Sequence, residues 1–193
     1  MIRIATKDDI PAIRAIYAPY VETTTYTFEY TVPTLAEMNA RFEAITAQFP
    51  WLVWEENGTV LGYAYGSAPF DRAAYRWCGE VSVYLAPDAR RKGLGRKLYA
   101  AVEAIMWQQG YRVIYALITS ENEASLRFHE AVGYVPSFVC KGCGIKFGRL
   151  LDVHWLEKRS KFVDIPSVFP ASWKTFVEND GNLQDFLANL SLS

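Results

Sequence analysis

Between Glu80 and Gln109 the chain reads strand, turn, glycine loop, helix, and that order restricts the fold more than any other feature of the sequence. Val81, Val83 and Leu85 alternate with Ser82 and Tyr84, a period-two strand pattern. Pro87 ends the strand because proline cannot donate to a ladder. Arg90, Arg91 and Lys92 then bring positive charge up to Gly93-Leu94-Gly95, with Arg96 directly after. From there Leu94, Leu98, Val102, Ile105 and Met106 recur at helical spacing. A helix start leaves unpaired N–H groups and the positive end of a dipole. Glycines let an anion approach that backbone closely. The junction therefore reads as an anion cradle. An ordinary left-handed turn with a solvated basic face is the alternative; the strand before, the helix after and the adjacent arginines favour the cradle.

The flanking sequence fits one α/β unit. Residues 2–4 are a short strand candidate. Thr6 to Asp9 caps a helix running to about Tyr20, with Ile10, Ile13, Ile16, Tyr17 and Tyr20 on its apolar side. Residues 21–33, polar and β-branched, read as a loop or short strand held partly extended. Thr34-Leu-Ala-Glu37 is a capping box for a helix to about Gln48. Trp51 to Glu56 and Thr59 to Tyr65 flank Asn57-Gly58, a type I′ hairpin signal. A long aromatic and basic loop, 67–79, leads to Glu80. After the central helix, Tyr111 to Ile118 is a nearly continuous apolar run that suits a strand buried on both faces. Strand, helix, strand in this order predicts a right-handed crossover and parallel pairing. A helix is expected from Glu123 to about Val132, stopped by Gly133, then two strands near 134–140 and 149–157 with glycines between them. Residues 160–193 differ: a segment with two prolines at 164–170, then a short amphipathic helix at Gln184 to Leu192. Domain boundaries of 1–159 and 160–193 follow, with a cap or partner contact expected for the extension.

The totals exclude several classes. The net charge of −1 gives no global attraction to nucleic acid or to an anionic membrane, so no partner of either kind is expected. No apolar run approaches the length of a membrane span, and the N-terminus lacks a signal-peptide core. Three cysteines close no disulfide set, which suits a reducing cytoplasm. Cys140-Lys-Gly-Cys143 has metal-knuckle spacing but no second ligand pair; it reads as a turn with two thiols, and no metal is expected.

Arg90-x-x-Gly93-x-Gly95, placed after a strand and before a helix, resembles the pyrophosphate motif of the GNAT N-acetyltransferase superfamily. Asn122 at the end of the next strand, and Leu126 to Tyr134 as a closing helix with a Gly-aromatic turn, add to the resemblance. Three signatures are narrower: Tyr20 to Phe28 ahead of a proline and a capped helix; Arg72-Ala-Ala-Tyr75-x-Trp77 leading into Glu80-Val-Ser-Val-Tyr-Leu; and His129, where the superfamily more often has tyrosine. These resemble phosphinothricin acetyltransferases and their relatives acting on methionine sulfoximine and methionine sulfone. Lys146 to Asp152 adds a similar ending, and the resemblance covers residues 2–157.

The resemblance implies an α/β (α+β) fold: a mixed, mostly antiparallel sheet with a parallel strand–helix–strand acetyl-CoA site, flanked by helices. It implies direct transfer of acetyl from acetyl-CoA to the α-amine of a small amino acid, in a homodimer with the Phe28 region near the partner's site. Glu80 is then the base, directly or through a water; a strand-end carboxylate paired to an arginine is the other reading. A carboxylate in an aromatic cleft should carry a raised pKa. Val83, Tyr84 and Leu85 would offer backbone groups to the pantetheine arm and to the thioester carbonyl. Arg90, Arg91, Lys92, Gly93, Leu94, Gly95 and Arg96 would hold the pyrophosphate, and Asn122 with Ser125 the arm, unless Asn122 only caps its helix. His129 would sit near the leaving thiolate as an acid or orienting donor. Arg72 offers a bidentate fork to the substrate carboxylate, and Tyr75 packs and hydrogen-bonds. Phe28, Ser82 and Thr119 complete the expected substrate set; as a core or interface anchor Phe28 has another explanation. Phe70 fills a position where the family often has a cation, which turns the expectation toward a less charged analogue than phosphinothricin. Cys78 makes an acetyl-cysteine route conceivable, and the resemblance argues for direct transfer instead. Competing functions are acetylation of a polyamine, an aminoglycoside or a protein N-terminus, and acetyl-CoA binding without turnover.

Overall fold

A computed structural model describes residues 1–161 and 164–175. The helix expected at 184–192 lies outside the described residues. Among the described residues seven strands form one sheet in the order β1-β2-β3-β4-β5-β7-β6. These are β1 Ile2–Ile4, β2 Trp51–Glu56, β3 Thr59–Ser67, β4 Cys78–Leu85, β5 Val113–Thr119, β6 Val135–Lys146 and β7 Arg149–Arg159. All neighbours are antiparallel except β4 and β5. Four α-helices among the described residues flank the sheet: α1 Ile10–Thr23, α2 Leu35–Thr46, α3 Leu94–Gln109 and α4 Glu123–Ala131.

The alternation in β4 sorts its side chains onto two cores. Val81 packs with Leu98, Val102, Ile105 and Met106 of α3, all fully buried or nearly so. Burying each such side chain contributes about 1.5–3 kcal/mol. On the opposite face Tyr63, Tyr17 and Tyr20 pack with Trp51 and Val53, and Tyr84 packs against them. Tyr84 meets Tyr17 and Tyr20 edge-on at 5.0 and 5.1 Å. Glu80 and Ser82 therefore emerge on the aromatic side, α3 on the other.

The hairpin turn is as the dipeptide predicts, with Asn57 and Gly58 both at positive φ. Three expectations need correction. Helix α1 runs on to Thr23 because Val21 is itself buried, so only 24–33 is loop. Strand β4 starts two residues before Glu80. Strand β6 continues through Gly142 and Gly144 as a bulge, its ladder jumping from Cys140–Val153 to Gly144–Leu151. The connection is instead Phe147-Gly148, both at positive φ. Cys140 and Cys143 thus sit on a strand bulge rather than in a turn.

Candidate functional site

Strands β4 and β5 share a ladder only over Cys78–Val113, Gly79–Ile114 and Glu80–Tyr115. Past Glu80 they part. Each stays fully paired on its outer side, β4 with β3 as far as Leu85 and β5 with β7 as far as Thr119. The result is a wedge with two facing, unpaired strand edges. Ala86 N donates to Leu61 O at 2.9 Å. Antiparallel alternation then turns the backbone of Ser82 and Tyr84 toward β3, and that of Val81, Val83 and Leu85 into the wedge. Leu85 is already engaged, since the Tyr20 hydroxyl donates to its carbonyl at 2.8 Å and accepts from its N–H at 3.2 Å. Of the three expected strand residues, Val83 alone presents a free backbone edge; the carbonyl of Val81 joins it, the Val81 N–H being taken up by the last step of the ladder to Tyr115.

Glu80 stands at the fork of the wedge. Its carboxylate is largely out of solvent, and burial pushes its pKa up to about 7. No arginine or lysine among the described residues pairs with it, which removes the ion-pair explanation for this side chain. The cleft beside it encloses about 80 Å³ and is lined by Tyr20, Tyr26, Ser82, Asn122, Ser125 and His129, among others.

Helix α4 supplies the far wall. Asn122 Oδ1 accepts from Ser125 N at 3.2 Å, a helix cap that also faces the cleft. His129 is buried, with Tyr99, Phe128 and Tyr134 rings edge-on at 5.0–5.4 Å. Its Nδ1 lies 2.8 Å from Ser125 O. A carbonyl oxygen only accepts, so Nδ1 carries the proton. Nε2 is buried without a partner, and burial lowers the ring pKa to about 4. Near neutral pH Nε2 is a bare acceptor. With its proton on Nδ1 against Ser125 O, the ring leaves Nε2 facing inward as an acceptor.

At the other end of β4, the first turn of α3 has no side-chain cap. Arg91 and Gly93 both take positive φ, and a Cβ at Gly93 would meet nothing within 4 Å, so that glycine serves backbone conformation rather than space. Lys97 N already bonds Gly93 O, while the N–H groups of Leu94, Gly95 and Arg96 open the helix. Arg90, Arg91, Lys92 and Arg96 are exposed around this opening. The Arg90 guanidinium lies over the Tyr20 ring at 5.0 Å, tying the basic rim to the residue that holds Leu85. An extended amide arm ending in a pyrophosphate fits this arrangement: free strand edge, bare helix start, cationic rim.

The expected substrate residues do not converge as closely. Ser82 lines the cleft; Thr119 is buried at the end of β5 with its hydroxyl unpartnered. Phe28 wedges onto β6, where a Cβ on Gly144 would come within 2.2 Å of its ring. Arg72 is exposed in the 68–77 loop and Tyr75 is 44% exposed. Cys78 lies below the fork and burial pushes its thiol pKa up, which disfavours a thiolate nucleophile. Tyr20, Tyr26 and Lys146 lie within the quoted signatures but receive no role of their own from the sequence. Tyr20 read as core because it falls on the apolar face of α1. Lys146 is buried and its Nζ donates to Thr27 O at 2.8 Å, pinning the 24–30 loop to β6.

The acetyltransferase (GNAT) domain family model matches residues 2–155. The phosphinothricin N-acetyltransferase of Alcaligenes faecalis is 43% identical over 162 residues, covering 81% of each chain. The L-methionine sulfoximine/L-methionine sulfone acetyltransferase of Pseudomonas aeruginosa is 39% identical over 160 residues, 81% of this chain and 92% of that one. A crystal structure of a GNAT superfamily phosphinothricin acetyltransferase from Sinorhizobium meliloti, in complex with AcCoA, superposes with a TM-score of 0.82 at 35% identity, covering 88% of this chain and 95% of that one. The chain belongs to the GNAT acetyltransferase family. It is an acyltransferase, built on the mixed sheet and single parallel strand pair described above.

Proposed function

We propose that this protein transfers an acetyl group from acetyl-CoA to the α-amine of a small amino acid or analogue, of the phosphinothricin or methionine sulfoximine type, with Glu80 as the base. The observation that carries the reading is a carboxylate with no counter-charge among the described residues, its pKa pushed up to about 7 by burial, at the fork of an open strand edge. Acetyl-CoA supplies an activated acyl carbon and a thiol leaving group. The Val83 backbone and the Val81 carbonyl hold its arm, and the α3 N-terminus with Arg90, Arg91, Lys92 and Arg96 holds its pyrophosphate. Asn122 and Ser125 border the arm, and the lone pair of His129 Nε2 accepts a hydrogen bond from it or from the amine.

Glu80 takes one proton from the ammonium. The freed amine attacks the thioester carbonyl and the C–S bond breaks. The second amine proton passes to the departing sulfur, and Glu80 returns its proton to solvent. A group with a pKa near the working pH both accepts and releases that proton readily. Arg72 clamps the α-carboxylate with its planar fork, and Tyr75, Phe28, Ser82 and Thr119 shape the acceptor side. Residues 1–159 form the catalytic unit in this reading, and 160–193 are an extension to it.

The protein works as a homodimer in this reading. The β6–β7 hairpin exposes Val135, Phe138, Ile145, Phe147 and Leu150, an apolar patch suited to a second copy; light scattering at micromolar concentration tests it. The functional test is a thiol-release assay with acetyl-CoA over phosphinothricin, methionine sulfoximine, methionine sulfone and simple amines. Turnover confined to acceptors bearing an α-carboxylate is expected; equal turnover of a polyamine would overturn the carboxylate clamp.

A further inference from the structure

The chain leaves β7 at Arg159 and returns beneath the sheet as a strap at 164–175. The strap is tightly held. Trp173 is buried and its Nε1 donates to Thr46 O at 2.9 Å. Gln109 Nε2 donates to Ala171 O at 2.7 Å, and Ala171 N to Gln109 O at 3.0 Å. The strap also grips the 68–77 loop: Trp77 Nε1 donates to Val168 O at 3.1 Å, Phe169 packs on the Trp77 ring at 4.8 Å, and Arg76 lies over Phe169 at 4.9 Å.

Between strap and loop is a cavity of about 480 Å³, six times the room beside Glu80. A small-molecule site of this size is ordinary. Phe49, Phe70, Tyr75, Tyr111, Phe169 and Pro170 form its walls. The Gln48 amide nitrogen at its edge is spent on Pro170 O and Ala171 O, both at 3.1 Å. Asp71 and Arg76 bring one charge of each sign. The walls therefore favour a neutral, flat, apolar group, which aromatic faces receive at ring separations of about 4.5–7 Å.

Two links tie the cavity to the reacting end. Cys78 lines it and shares a face of β4 with Glu80, two residues away, about 7 Å along a strand. Phe70 meets Tyr115 edge-on at 6.0 Å, and Tyr115 is the register partner of Glu80. An amine placed at Glu80 leaves a side chain one strand step from the cavity. The family match ends at residue 155, so the wall made by Phe169 and Pro170 comes from outside the shared domain.

We propose that this cavity is a side-chain pocket for the acceptor, and that the enzyme acetylates α-amino acids with large aromatic side chains as well as the short polar analogues of its relatives. The inference rests on the reading of Glu80 as the base that meets the α-amine. The experiment is steady-state kinetics of the full-length protein at saturating acetyl-CoA, with L-phenylalanine, L-tryptophan and L-methionine sulfone as acceptors. The wild type should turn over phenylalanine or tryptophan with kcat/KM within tenfold of methionine sulfone, or better. Phe169→Ala should lower the phenylalanine-to-sulfone selectivity ratio at least tenfold, through KM, the size expected for lost apolar contact in a pocket. Should that variant melt early, Ala68→Phe fills the cavity from the loop side with the strap intact, and should lower the same ratio. Acetylation of the sulfone with none of phenylalanine or tryptophan overturns the pocket while leaving the glutamate reading in place. Silence with every acceptor overturns both. A selectivity ratio unmoved by either variant places the aromatic acceptor elsewhere and ends the proposal.

Discussion

In the proposed reading, the donor end and the acceptor end of this site are built by different means. The donor end is backbone: Val83 and the Val81 carbonyl along one strand edge, and the open turn of α3 at Gly93, all within sixteen consecutive residues. The acceptor end is assembled from side chains on separate elements, with 24–30, 68–77 and the bulged half of β6 brought together by Lys146, Phe28 and the aromatic stack of Phe70 on Trp155 at 5.8 Å. A backbone site constrains conformation and tolerates side-chain change; a side-chain site does the reverse. Cofactor identity is therefore a local property here, and acceptor identity a tertiary one.

Glu80 sits where the two ends meet, and its removal gives the largest effect. Glu80→Gln should lower kcat by about 10²–10³-fold, the usual scale for a positioned base. The acetyl-CoA dissociation constant, read by calorimetry, should stay within about twofold, because the arm is held by backbone. In the wild type kcat/KM should rise with pH and level off above about 7, as the carboxylate loses its proton. A Gln variant with full turnover, or a profile flat from pH 6 to 8, removes Glu80 from the mechanism.

The same group makes a stability prediction with a definite sign. The unfolded carboxyl titrates near 4.5, and the folded one near 7. Between those values the folded protein keeps a proton that the unfolded chain has released. Stability attributable to this group is therefore present below pH 4.5 and lost as pH rises through 7. Replacing Glu80 by Gln should stabilise the protein at pH 8 relative to pH 5 by ~2 kcal/mol, or about 5 °C in Tm for a chain of this size. An offset independent of pH would show that burial does not perturb this carboxylate.

At the donor end the sensitive feature is a backbone angle. Gly93 holds φ 78° with open space around it, so alanine there meets no clash and pays only for conformation, about 1–2 kcal/mol. Relaxing that cost rotates the loop and turns the helix-start N–H groups aside. Gly93→Ala should raise the acetyl-CoA KM about tenfold, and the acceptor KM much less. Equal rises in both would mean that the cradle and the acceptor loops move as one body.

This division also explains what could be read from the chain. Glu80 to Gln109 was legible because strand period, proline stop, positive-φ glycine and helical spacing are all local signals. So were the Thr34–Glu37 capping box and the Asn57-Gly58 turn. The 24–33 loop was not, because Lys146 fixes it from 119 residues away. The β6 bulge was not, since Gly142 and Gly144 look the same in sequence whether they connect strands or distort one. His129 was found by resemblance, and its burial was not legible. The pull that lowers its pKa comes from burial, inside a ring of aromatics that no spacing rule announces. Arg72 and Tyr75 stand out for their chemistry; neither borders the cleft beside Glu80, and Tyr75 lines the neighbouring cavity, a placement that the spacing does not announce.

The finest test sets one hydrogen-bonding side chain from each end against the other. Tyr20→Phe removes the hydroxyl that fixes Leu85 at the arm end of β4, and Lys146→Met removes the ammonium that holds Thr27 while keeping its length and burial. Each loses hydrogen bonding worth about 1 kcal/mol, or about fivefold in a binding term. If the ends are independent, Tyr20→Phe raises the KM for acetyl-CoA and Lys146→Met raises it for the acceptor, with little crossing. The double variant should then show both changes, additive to within about 0.5 kcal/mol. The Tyr20 ring complicates this division, because it also carries Arg90 and packs on Tyr26, both of which phenylalanine preserves. A rise in acceptor KM from Tyr20→Phe would therefore trace to the hydroxyl alone, and would mean that Leu85 transmits strain along β4 to Glu80.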